Sequence, residues 1–203
     1  MQHVSSQIAS QTAASATISG HLFRASLIAK RMALAAKNSR AMVLRAGAKA
    51  AGLKVISDYF DELAGKTIRL SRLINQSAIT ISRTSVRQWR TQTFLDRLAK
   101  SQARLEPSQS QQLNVAAANR QLFLSHQMHS LQRQLIELKD QLADIHQYMQ
   151  SSNVVAVTFR LEATQTGEFR PMLENMAETI SQQSNDIKAH ITTSQNKLSY
   201  FQA

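Results

Sequence analysis

Apolar residues recur along the chain at alternating steps of four and three, most plainly at Leu124, Met128, Leu131, Leu135, Leu138, Leu142, Ile145 and Met149. The seam extends outward through Ala117, Gln121, Ser152, Ala156, Phe159 and Ala163. Such steps keep one stripe of a helix facing its neighbours, so a seam of this length predicts a long helix packed as in a coiled coil. A weaker seam, Ile56, Phe60, Leu63, Thr67, Leu70, Ile74, Ser77, Ile81 and Thr84, predicts a second helix reaching past Trp89 to Leu98. Upstream, Ile18, Leu22, Ala25, Ala29, Met32, Ala36, Ser39 and Val43 mark another helix, whose small residues imply close approach to its neighbours. Leu173, Met176, Ile180, Gln183 and Ile187 mark the last.

The helix breakers divide these stretches. Gly47 and Gly52 flank one turn, Pro107 marks the next, and Gly167 with Pro171 marks a third, while Gly20 and Gly65 read as tolerated helix-interior glycines. Ala48 and Glu168 lie at nearly equal distances either side of Pro107, so folding there brings the first and third turns to the same end. The expected fold is all-α: an elongated, coiled-coil-like, antiparallel four-helix bundle of two long hairpins, with both tips at one end. Hairpin 1 spans 1–105 with its tip near 46–53, and hairpin 2 spans 108–203 with its tip near 164–171. At about 1.5 Å per residue each central helix is roughly 85–90 Å long.

Composition supports this picture. Five Gly, two Pro and 5% aromatic residues among 203 leave few places to stop a helix and few side chains to fill a thick core. Cysteine is absent, which excludes a disulfide framework, thiol catalysis and a cysteine zinc site, and fits a reducing compartment. No run approaches the roughly 18 apolar residues of a spanning helix, and the N-terminus lacks the apolar core of a secretory signal. Residues 1–57 lack Asp and Glu and are rich in Ser and Ala, as organellar transit peptides are, but the helical pattern carries them into the bundle. A soluble, cytoplasmic protein is expected.

Charge is distributed unevenly within a formal net +11. Residues 1–100 hold 16 basic and 4 acidic side chains, whereas residues 101–203 hold 8 basic and 9 acidic. The asymmetry fits an acidic partner such as nucleic acid, a weak attraction between the two halves, or simply a solvated basic face. No aromatic residues are read as interleaved with the basic ones in the way that stacking platforms for single strands require.

Chemistry-bearing groups are sparse. Of six His, only His126 and His129 have a spacing that places two rings on one helix face, and no nearby carboxylate or thiol completes a metal site. No catalytic constellation, cofactor motif or metal site is read, and the chain is not expected to be an enzyme. The pairs Gln111-Gln112 and Gln182-Gln183 stand out as adjacent amides on the predicted helices.

The run Ser26–Ile74, SLIAKRMALAAKNSRAMVLRAGAKAAGLKVISDYFDELAGKTIRLSRLI, resembles the cytoplasmic signalling tip of methyl-accepting chemotaxis receptors. With Asn38 on the family's Asn, residues Ile28, Ala29, Leu34, Ala36, Arg45, Ala46, Gly47, Gly52, Val55, Asp58, Leu63, Ala64 and Lys66 match like or identical residues without a gap. Both glutamates of the family's Glu-Ala-Ala-Arg-Ala-Gly-Glu are replaced, by Met42 and Ala48, and its tip phenylalanine is Leu53. A fainter copy, Leu161-Glu162-Ala163-Thr164-Gln165-Thr166-Gly167-Glu168, keeps both glutamates but has Gln165 for the arginine.

The resemblance implies a degenerate, duplicated signalling hairpin, in which one chain supplies as a monomeric pseudo-dimer what the family builds from two chains. It also implies binding to the bacterial coupling protein CheW, the histidine kinase CheA or receptor tips. By that match the partner-binding residues are Asn38, Arg45, Gly47, Gly52, Leu53, Val55, Glu162 and Glu168, with Glu162 and Glu168 as ionic counterparts of Arg45 across the pseudo-dimer. The alternatives are a basic helical bundle that binds nucleic acid and an inert scaffold remnant.

Overall fold

In the computed structural model, which describes residues 2–47, 51–102 and 107–201, four helices account for nearly every position. They are α1 (Gln2–Ala46), α2 (Ala51–Gln102), α3 (Pro107–Ala163) and α4 (Arg170–Leu198). Each packs chiefly on two others, in the ring order α1, α2, α3, α4. The fold is an antiparallel four-helix bundle with both hairpin tips at one end. The expected tip residue Ala48 lies outside the described residues.

The breakers act through different physics. Gly47 closes α1 at φ +59°, a left-handed conformation that costs glycine little. Pro107 is the first residue of α3, where a missing N–H breaks no hydrogen bond. At the other tip α3 unwinds through Thr164, whose hydroxyl donates to the Leu161 carbonyl, and buried Thr166, whose hydroxyl donates to that of Ala163. Gly167 then reverses the chain at φ +58°, and one 3-10 turn (Gly167–Phe169) leads into α4, with Pro171 in its first turn. Gly52 does not form a turn: it lies within the first turn of α2, and its φ is not positive.

The α1 seam is buried throughout, from Ile18 to Val43. In α2 and α4 the core register differs from the expected one. Ser71, Ala78 and Ser85 are buried where Leu70, Ser77 and Thr84 were expected, and Ala177 and Ser184 are buried where Met176 and Gln183 were. Small side chains occupy these layers because α3 fills the middle of the bundle with Leu138, Leu142, Ile145, Met149 and Phe159. Close packing at crystal-like density makes such small residues alternate with the large buried Phe60, Ile74, Ile81, Ile180 and Ile187 on the same two helices. Hydroxyls join the helices within these layers: buried Ser39 and Ser57 hydrogen-bond at 2.7 Å, and Ser15 donates to the Ala78 carbonyl at 3.0 Å.

The α3 seam is buried only from Leu131 to Ala163, and the expectation that it is core along its whole length fails for a geometric reason. The helix α4 has 29 residues against 57 in α3, about 44 Å against 86 Å. Beyond Phe201, which closes the short bundle in a last 3-10 turn, Met128 is 59% exposed and Leu135 is half-buried beside a cleft of about 720 Å³. The rod therefore has four helices near its tips and fewer at the far end. The described part of α2, Ala51–Gln102, is 52 residues and about 78 Å long.

One polar contact joins α1 to α4. His21 Nδ1 and His190 Nδ1 lie 2.9 Å apart, so one ring donates and the other accepts. Burial, then the charges of His21 and Arg24, hold His190 below its ordinary 6.5, against an upward pull from Asp186. Below 6.5 the unfolded chain binds this proton more readily than the bundle does, so stability is full above that pH and falls as the pH drops through the window beneath it. Thermal unfolding at pH 7.5 and 5.5 is expected to give the lower Tm at pH 5.5, and His190→Gln to shrink the difference. An unchanged difference in the variant would show that other groups set the pH dependence.

Candidate docking site at the hairpin tips

The two tips meet through Gly52 and Glu162. A Cβ built on Gly52 would lie 3.3 Å from Glu162 Oε2, so α2 opens with glycine where the half-buried Glu162 side chain of α3 crosses it. This contact spans the two hairpins and explains both residues in one observation: the glycine lets the carboxylate lie against the backbone of α2.

The other expected site residues divide by exposure. Asn38 and Arg45 are exposed on the last turns of α1, Gly47 is exposed just beyond them, and Glu168 is exposed in the 3-10 turn. Val55 stands 74% exposed on α2. Leu53 is a correction: at 0% exposure it belongs to the core stripe that continues through Ser57 and Phe60, so it supports the tip from within and offers no contact surface. The expected pairing of Arg45 with Glu162 or Glu168 is also absent. The ion pairs near the tip are instead Arg40 with Asp58 at 3.5 Å, Arg160 with Glu178, and Arg170 with Glu174 at 2.8 Å. Each lies within one hairpin: the first two join helices that a turn connects, and Arg170 with Glu174 lies one turn apart within α4. All these groups are well exposed, and such pairs contribute little to stability.

Beside the tip, α2 and α3 form a groove of about 320 Å³ lined by Val55, Ile56, Tyr59, Ser151, Val154, Val155 and Thr158. Its floor and walls are largely apolar. On its rim Val154 is 66% exposed, and Leu161 further along α3 is 63% exposed. Clustered exposed apolar side chains at a boundary between two elements mark interaction surfaces rather than isolated surface leucines. The α3 half of this groove escaped the sequence reading. Its signal is the run Val154-Val155-Ala156-Val157, which places apolar residues on outward as well as inward faces of one helix.

Away from the tip, His129 lines the cleft of about 720 Å³ beside Leu135. His126 and His129 are both exposed on α3, and among the described residues no three His, Asp or Glu side chains are grouped to hold a metal ion. Gln182 donates to Asp186 at 3.1 Å and Gln183 is half-buried; the side chains of Gln111 and Gln112 lie outside the described set. Among the described residues no helix is long and apolar enough to cross a membrane. No family model, curated protein or solved structure matches the chain.

Proposed function

We propose that the tip end of the rod is a protein-docking platform, and that the chain is a degenerate relative of chemoreceptor signalling hairpins acting on array proteins of the CheW and CheA type. The observation that carries this reading is the apolar groove between Val55 and Val154, because α2 belongs to one hairpin and α3 to the other. The groove exists only where the two hairpins lie side by side, as they do at the tip of a receptor dimer. The ungapped likeness around Asn38 to Lys66 supplies the class of partner. The platform is a scaffold of cytoplasmic signalling and not an enzyme, and one chain supplies both hairpins without a second copy.

The loss of the family's charges at Met42 and Ala48 shifts recognition from ion pairs towards apolar contact, with Asn38 and Arg45 as the polar rim. Titration calorimetry with CheW and with the regulatory domain of CheA is expected to show binding in the micromolar range. Val55→Asp places a charge in the groove at an exposed helix position and is expected to weaken binding at least about tenfold, the scale of an interface hot spot. The double variant Asn38→Ala, Arg45→Ala should weaken it less and leave helicity intact, since Ala favours helix. Absence of binding at high micromolar concentration, or variants that bind as well as the wild type, would contradict the docking role.

A further inference from the structure

The charge asymmetry of the chain takes a definite place in the bundle. The helix α1 carries six Lys and Arg and no carboxylate. From Leu63 onward α2 carries eight basic residues and one acidic, Asp96, whose carboxylate accepts from Gln92. Together α3 and α4 carry seven basic and seven acidic. The register of the first hairpin, Ser15 against Ala78 and Ser39 against Ser57, sets the α1 cations beside the start of α2, where Asp58, Asp61 and Glu62 lie, and leaves the shaft of α2 beyond Leu63 as the strongly basic stretch of the rod. Among the described residues no ion pair runs from one hairpin to the other, so the basic half does not neutralise itself against the acidic residues of the second half.

The outermost line of this stretch is a ladder. Arg69, Arg83, Arg90 and Arg97 fall at the same heptad position of α2, with Arg72 and Arg87 flanking them, and all six are exposed and form no ion pair among the described residues. Residues seven apart are about 10.5 Å apart along a helix, so the ladder from Arg69 to Arg97 is about 42 Å long. A solvated face needs no such alignment: a mixture of signs keeps a surface soluble, and unrelieved like charge destabilises the helix that bears it. Phe94 stands on the ladder between Arg90 and Arg97, an aromatic that the reading of the sequence without helix faces left out. Its ring is already covered by the Arg120 guanidinium, 5.5 Å from its centroid.

We infer that the α2 ladder is a docking surface for double-stranded nucleic acid, held through phosphates and without base readout. Guanidinium groups are the preferred partners of phosphate oxygens. The ladder slightly exceeds one duplex turn of about 34–36 Å, so a rod laid along the duplex meets backbone on both sides of a groove. A single strand suits the surface less well, since Phe94, the exposed aromatic beside the ladder, already has the Arg120 guanidinium over its ring. This surface lies along the shaft of the rod and is independent of tip docking.

Fluorescence anisotropy of the full chain with a labelled duplex of 30 base pairs tests it. Binding is expected to weaken steeply with salt, with a log–log slope of about −4 to −5 for five phosphate contacts. The variant Arg83→Gln, Arg90→Gln, Arg97→Gln is expected to lose at least about tenfold in affinity and about three units of slope, with unchanged helicity. Arg133→Gln, Lys139→Gln, Lys188→Gln removes the same charge from α3 and α4 and is expected to stay within about twofold of the wild type. Absence of duplex binding would overturn the inference, as would equal losses in the two variants, which would reduce the effect to net charge. Tighter binding to a 30-nucleotide single strand or to phosphatidylserine vesicles than to the duplex would also overturn it.

Discussion

Phe159→Ala is expected to lower the unfolding free energy by about 3–5 kcal/mol, the cost of emptying a fully buried aromatic site in a core that cannot collapse around it. For a chain of this size that corresponds to a fall in Tm of about 6–20 °C. Met128→Ala, on the same seam of the same helix, is expected to change stability by no more than about 0.5 kcal/mol. The contrast comes from the neighbours rather than from the residues themselves. Phe159 is 0% exposed among all four helices near the tip, whereas Met128 lies past the end of α4 and is 59% exposed. Leu138 and Leu142 should behave like Phe159, at about 2–5 kcal/mol for Ala, and the half-buried Leu135 should fall between. Urea unfolding followed by circular dichroism measures the series. Equal costs at positions 128 and 159 would mean that four helices surround the whole seam.

What could be read in the chain depended on whether the deciding physics was local. The α1 seam was legible because its buried positions are its only regularly spaced apolar and small residues. In α2 and α4 the same procedure chose Leu70 and Met176 over Ser71 and Ala177, preferring the larger side chain. Which of two adjacent positions faces the core depends on the volume supplied by α3 across the bundle, and no window on one helix contains it. The extent of the α3 seam failed similarly, since the burial of Met128 is decided by the length of α4. At the tip, chain reversal at Gly47 and Gly167 was legible from glycine chemistry. The role of Gly52 was not, because it answers to Glu162 in another helix. Leu53 was carried over as a contact residue by family likeness, yet its place on the buried stripe was open to a heptad count.

The docking platform and the groove beside Val55 both require that one chain close the bundle, with the start of α2 against the end of α3. The absence of native cysteine makes this directly measurable through a single pair, Gly52→Cys with Glu162→Cys. The Cβ position of residue 52 lies 3.3–3.9 Å from the end of the Glu162 side chain, so thiols at the two sites fall within the span of a short bifunctional maleimide. Treatment with the bifunctional maleimide at low micromolar protein concentration, followed by electrophoresis and mass spectrometry, reads the outcome. The expected product is a cross-link within one chain of 22.6 kDa, formed at a rate that does not change on dilution. Cross-links formed only between chains, or no cross-link at all, would contradict the closure of both hairpins within a single molecule.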